Sequence, residues 1–195
     1  MEYFAQCNQD RWVLGQFPQH NFKGYFLDIG AHDGKHFSNT LALEKVGWTG
    51  ICVEADPAVQ ELLHRNRDCN ICAAAMTDQS GEIAFDSAGM SGRVVETGNS
   101  KVRAITFPEL FEMYSVPNVI DYVSLDIEGY EYKALTKFPW DHYVMRTLTV
   151  EHNKYVEGPQ YQELLFELLN AHGYDRVVKD AGAPGYPYED WYSKF

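Results

Sequence analysis

Five side chains near the ends of apolar runs could carry chemistry: Asp126, Glu128, Glu151, His152 and Asn153. Carboxylates with an amide oxygen suit a hard divalent ion, so Asp126, Glu151 and Asn153 form a candidate Mg²⁺ or Mn²⁺ set. The same acids, or His152, could instead take a proton from a poor nucleophile such as a hydroxyl. Asp126, Glu128 and His152 are therefore the catalytic candidates, with His32 a further histidine to watch. A second group lies earlier. Asp28-Ile29-Gly30-Ala31-His32-Asp33-Gly34 has two glycines that permit a tight turn, and Glu54 follows Gly30 by 24 residues. An acid at that distance can accept both hydroxyls of a ribose.

These groups need elements to hold them. Tyr25 to Ile29 is too short for a helix and reads as a buried parallel strand. A helix containing Leu41, Leu43 and Val46 follows, stopped by Gly47. A second strand, Gly50 to Val53, then delivers Glu54 at its carboxyl end. This is a nucleoside-binding half-fold. Gly-x-Gly-x-x-Gly is absent, and Asp28 and Asp33 sit where a pyrophosphate would want bare amides. Acids suit a cationic ligand such as S-adenosylmethionine. In that arrangement Glu54 would bind its ribose.

Along the chain, Pro57 to Arg65 reads as a helix, Ile71 to Met76 as a third strand and Glu82 to Phe85 as a short strand. Ser87 to Ser100 is Gly- and Ser-rich and reads as a loop that closes over ligand. Pro108 to Tyr114 is a helix. Asp121 to Asp126 and Arg146 to Val150 are the fourth and fifth strands. A helix opening at Pro159 has Leu164, Leu165, Leu168 and Leu169 as its inner face. Tyr174 to Val178 and Asp190 to Phe195 are the sixth and seventh strands, and 182–187 is too proline-rich for a buried strand. Alternating strands and helices give the α/β class with a mainly parallel sheet.

At 195 residues, 45% hydrophobic, the chain is expected to be one domain, 1–195, with 1–23 a cap or lid offering Gln9 and Asp10. A net charge of −12 disfavours nucleic acid and anionic membranes as partners. No leader-like or membrane-spanning run occurs, so the expected location is cytoplasmic. Cys7, Cys52, Cys69 and Cys72 read as reduced thiols. Two rivals stand beside a protein that uses S-adenosylmethionine: an NAD-type oxidoreductase, and a non-catalytic interaction module on the same fold.

Taken in order, several stretches resemble the FkbM-type family of S-adenosylmethionine-dependent methyltransferases. They are Gln9-Asp10, Gly24 to Gly34, Ser38-Asn39-Thr40, Gly47 to Glu54, Asp126 to Glu131 and Val150 to Asn153. The resemblance implies a Rossmann-like class I methyltransferase fold, with a seven-stranded, mainly parallel sheet, helices on both faces and the last strand antiparallel. It implies O-methylation of a small-molecule hydroxyl, often on a sugar or glycan. By that resemblance Asp28, Gly30, Ala31 and Gly34 would hold the methionine end of the cofactor, Ala74 and Ala75 would line the adenine, and Asp78 could reach the exocyclic amine. The chain ends soon after the seventh strand, so no added substrate domain is expected, and a homodimer is left open. Ser124-Leu125 departs from the family pattern, where many members carry a lysine before the acid.

Overall fold

The structure is a computed structural model and describes residues 2–19, 21–88, 91–98, 100–183 and 185–195. Its main sheet joins seven strands: β1 (Tyr25–Ile29), β2 (Thr49–Glu54), β3 (Asn70–Ala73), β8 (Val119–Leu125), β9 (Val144–Glu151), β10 (Asp175–Ala183) and β11 (Tyr186–Ser193). Their order is β10-β11-β9-β8-β1-β2-β3. The pairs from β9 to β3 are parallel, whereas β11 runs antiparallel to both β9 and β10.

Both faces of this sheet are buried, which is why its central strands are apolar almost throughout. Successive side chains alternate between two cores. Leu27, Ile29, Ile51 and Val53 join one core with α4 (Phe107–Tyr114), α5 (Glu131–Leu135) and α7 (Pro159–Ala171). Phe26 and Cys52 join the other with α1 (Gln9–Gln16), α2 (Leu41–Lys45) and α3 (Gln60–Asn66). Thr106 caps α4 by accepting from the Glu109 amide, and Pro108 fits its first turn.

Three expectations need correction. Ile71 to Met76 is not one strand: β3 ends at Ala73 and β4 (Ala75–Met76) leaves for a second sheet. That sheet, order β4-β7-β5-β6, also contains β5 (Gly81–Asp86), β6 (Arg93–Val94) and β7 (Ser100–Ile105). Leu164 is 41% exposed, and Gln162 takes its place inside α7, because Asp190 lies opposite to accept from its amide. As expected, no described residue of 182–187 is buried, although Gly182 and Ala183 end β10 and Tyr186 and Pro187 open β11, with the buried run starting at Tyr188. Pro184 lies outside the described residues. Finally, α3 begins at Gln60, three residues after Pro57.

Candidate active site

The carboxyl ends of β1, β2 and β8 open into one cavity, as expected of an open α/β sheet. It holds about 1040 Å³ of atom-free space, its mouth included. At the base, β1 and β8 meet tightly. The Asp126 amide donates to the Ile29 carbonyl at 2.9 Å. Gly30 has φ +90°, and a Cβ there would sit 1.7 Å from the Asp126 carbonyl oxygen. Only glycine fits. The Gly30 and Ala31 amides both donate to the Val53 carbonyl, at 2.9 and 3.1 Å. They therefore shape the turn, and the expected amide contacts to a ligand do not form from them.

Glu54 is the best-prepared group. Its Oε2 accepts from the His32 amide at 2.7 Å and its Oε1 from the Asp56 amide at 2.7 Å. Burial raises its pKa and these amides oppose the rise. The carboxylate is thereby held rigidly on the cavity wall, with lone pairs left for two ligand hydroxyls. Val53, Ala55, Ala74, Ala75, Met76 and Phe85 form the apolar wall beside it. Asp78 lies outside that wall, in the turn that follows β4, so the expected adenine contact is not formed by this residue.

Asp28 also lines the cavity, yet its Oδ2 is committed inward. It accepts from Thr40 Oγ1 and from Arg67 Nη1 at 3.5 Å. Arg67, whose side chain is fully buried, reaches Glu44 Oε2 at 2.8 Å, Thr40 Oγ1 at 2.9 Å and Ser38 Oγ at 3.3 Å. Gly34 is a packing position outside the cavity: a Cβ there would lie 2.6 Å from both Arg67 and Leu63. Asn39 donates to Ser124 Oγ at 2.9 Å, and its buried Oδ1 has no partner. Buried His32 Nδ1 is likewise unpartnered. Both residues line the cavity.

At the far end, one oxygen each of Asp126, Glu128 and Glu151 lies within 4.8 Å of the others. Burial raises the pKa of Asp126, and burial together with the Asp126 charge raises that of Glu151. Glu128 is pushed up to about 7, first by burial and then by Asp126. It stands in a left-handed turn, φ 55°, on the cavity wall. Glu131 fixes that turn: its Oε1 accepts from the Ile127 amide at 2.8 Å and the Gly129 amide at 3.2 Å.

Two expected members fall away. His152 is 1% exposed and its Nε2 faces Asp180 and Asp190 at 3.8 and 3.7 Å, not the cavity. The chain turns at Asn153, φ 39°, which sends the two side chains in different directions. Asn153 presents its amide nitrogen, at 2.8 Å, to Glu128 Oε2 and to Glu151 Oε2. It therefore cross-links the acids through nitrogen and does not face them as the oxygen donor expected beside Asp126 and Glu151; the group that converges with those two is Glu128.

The remaining wall comes from places the sequence reading treated lightly. Gln6 and Gln9 from the N-terminal segment line it, so that segment does reach the cavity. Asp10 does not, being turned to the amides of Phe4 and Ala5. Tyr188 and Glu189 of β11 complete the wall. The only hint of them in sequence was a pair of acids set among aromatic residues, Tyr188 to Tyr192. Of the loop 87–100, Gly92, Arg93 and Val94 line the cavity, while Gly89, Met90 and Asn99 lie outside the described residues. Ser87 is tied to Asp56 Oδ2 at 2.5 Å. Hydrogen exchange at 91–98 should slow when S-adenosylhomocysteine is added; equal protection in both states would make this an ordinary surface segment.

The fold and the cavity define a Rossmann-like nucleoside-binding protein of the methyltransferase type. Residues 28–176 match the methyltransferase FkbM domain model, and the chain belongs to that family. At that level it is a methyltransferase that uses S-adenosylmethionine. Among solved structures, a putative O-methyltransferase from Klebsiella pneumoniae is similar, with TM-score 0.57 and 10% identity over 99% of this chain and 82% of that one. A precorrin-6y C5,15-methyltransferase from Geobacter metallireducens gives 0.56 and 11%, over 95% and 86%. An O-methyltransferase from Bacillus cereus, in complex with S-adenosylhomocysteine, gives 0.54 and 12%, over 96% and 81%. At such identities these likenesses establish the fold alone. No curated protein matches the sequence. No described helix is long and apolar enough to cross a membrane.

Proposed function

We propose that this chain transfers a methyl group from S-adenosylmethionine to a hydroxyl of a small molecule, with sugars and glycans the foremost class. The observation that carries this reading is Glu54, fixed by two amides at the end of β2 and standing beside an apolar wall. When bound, the cofactor supplies a methyl group already activated by its sulfonium. Glu54 would accept the ribose hydroxyls. Asn39 and His32 would meet the amino-acid end. The protein's remaining task is to align the acceptor and take its proton. Glu128 suits that task, because it lines the cavity and its pKa stands near neutrality. The net charge of −12 sets nucleic acid below small molecules as the acceptor.

Calorimetry with S-adenosylhomocysteine tests the cofactor half. Glu54→Gln should weaken binding by about 1.5–3 kcal/mol, roughly 10- to 100-fold, the worth of a charge-assisted hydrogen bond. Unchanged affinity would remove Glu54 from the site.

The convergence of Asp126, Glu128 and Glu151 favours one second reading, in which a divalent ion is shared by the three and holds the acceptor oxygen. Turnover after EDTA treatment separates the two: full activity eliminates the ion, and loss restored by Mg²⁺ or Mn²⁺ displaces Glu128 from the role of base.

A further inference from the structure

We propose that Glu189 is a specificity-determining residue that selects acceptors bearing a cationic nitrogen, so that the substrates are amino-bearing hydroxyl compounds such as amino sugars. This rests on the reading of the cavity as a methyl-transfer site and goes beyond it by naming the charge of the acceptor.

Glu189 is 3% exposed and stands on the cavity wall. Its Oε1 accepts from Gln9 Nε2 at 2.8 Å and from Trp191 Nε1 at 2.5 Å. Both donors are neutral, and both hold the same oxygen. Oε2 accepts no hydrogen bond from any described residue. The carboxylate is thus oriented by one oxygen and left open at the other.

Several other buried acids in this fold are compensated differently. Asp28 has Arg67, Asp190 has Arg176 and Asp121 has Arg146. Glu54 has two backbone amides. Glu189 has no such cation, and a buried carboxylate without one is costly. A ligand that brings a positive charge to Oε2 removes that cost.

Position points the same way. In the β11–β9 ladder Glu189 pairs with Glu151, next to the acids assigned to the acceptor end. The described wall carries Asp126, Glu128 and Glu189 there, and Arg93 is its single lysine or arginine. Arg93 is exposed and lies on β6. An acceptor phosphate or carboxylate would face acids, whereas an ammonium would meet acceptors. Glu128 stays free to take the hydroxyl proton, because the nitrogen is held from β11, on the far side of β9.

The test uses the full chain saturated with S-adenosylhomocysteine, whose own binding is measured first. Failure of that first step would sink the cofactor reading, not this one. Glucosamine, ethanolamine and spermidine are then compared by calorimetry with glucose, ethylene glycol and glucose 6-phosphate. We expect at least one amine to bind tenfold or more tighter than its neutral counterpart, and the phosphate not to bind. Glu189→Gln keeps an oxygen for Gln9 and Trp191, and should erase that preference while S-adenosylhomocysteine still binds. Equal binding of amines and neutral compounds, binding of no amine, or a preference that survives in Glu189→Gln would each overturn the assignment. A preference abolished by EDTA and restored by Mg²⁺ would overturn it too, in favour of a divalent ion at these acids.

Discussion

Glu128→Gln should slow methyl transfer by about 10²–10⁴-fold, the usual worth of a positioned general base. The substitution keeps the shape of the turn that Glu131 fixes through the Ile127 and Gly129 amides. It also leaves Asn153 an oxygen to donate to. Cofactor affinity should therefore hold while kcat falls. The pH profile supplies the sharper check. With its pKa raised to about 7 by burial and Asp126, Glu128 is protonated in acid and cannot accept the hydroxyl proton. The wild-type rate should fall about tenfold per unit below pH ~7 and level off above it. In Glu128→Gln that limb should be missing. A mutant that keeps the wild-type limb would transfer the role to Asp126 or Glu151, the other acids of the cluster.

Arg67→Ala is the largest expected change in stability, a loss of about 3–5 kcal/mol by urea unfolding, because it strands buried acids. Asp28 and Glu44 both lose their cation, and Thr40 and Ser38 lose a donor. Arg67→Lys restores the charge but not the planar fork that reaches five partners, so it should recover only part of the loss. Cofactor binding should weaken in the alanine variant as well, since Asp28 lines the cavity. A loss under ~1 kcal/mol would show that Asp28 and Glu44 are protonated or hydrated in the fold and need no partner.

Legibility in the sequence followed the range of the forces involved. Gly24 to Asp56 was readable because everything that shapes it is local: an apolar run, a glycine turn, a helix stop and an acid at a strand end. The order of the later strands' functional ends, Asp126 and Glu151, was readable for the same reason. The second sheet was not, because β4 and β6 are two residues each and leave no period to detect. His152 and Asn153 were misassigned because their directions depend on one left-handed residue, which an asparagine can adopt but does not announce. The role of Arg67 was invisible, since its partners lie 23 to 39 residues away. Glu189 was missed for the strongest version of that reason: its bond to Gln9 spans 180 residues.

That bond carries a kinetic consequence. Pairing across so long an interval pays its loop-closure entropy before any contact rewards it, so such contacts form late in folding. The strand–turn–helix–strand unit that holds Glu54 can form early from neighbouring residues. The wall made by Gln9, Tyr188 and Glu189 must wait until β11 has inserted between β9 and β10. In refolding, the ribose-binding half should therefore be protected from exchange before the acceptor half, and a chain caught between the two stages would hold the nucleoside without a floor on which to seat its second substrate.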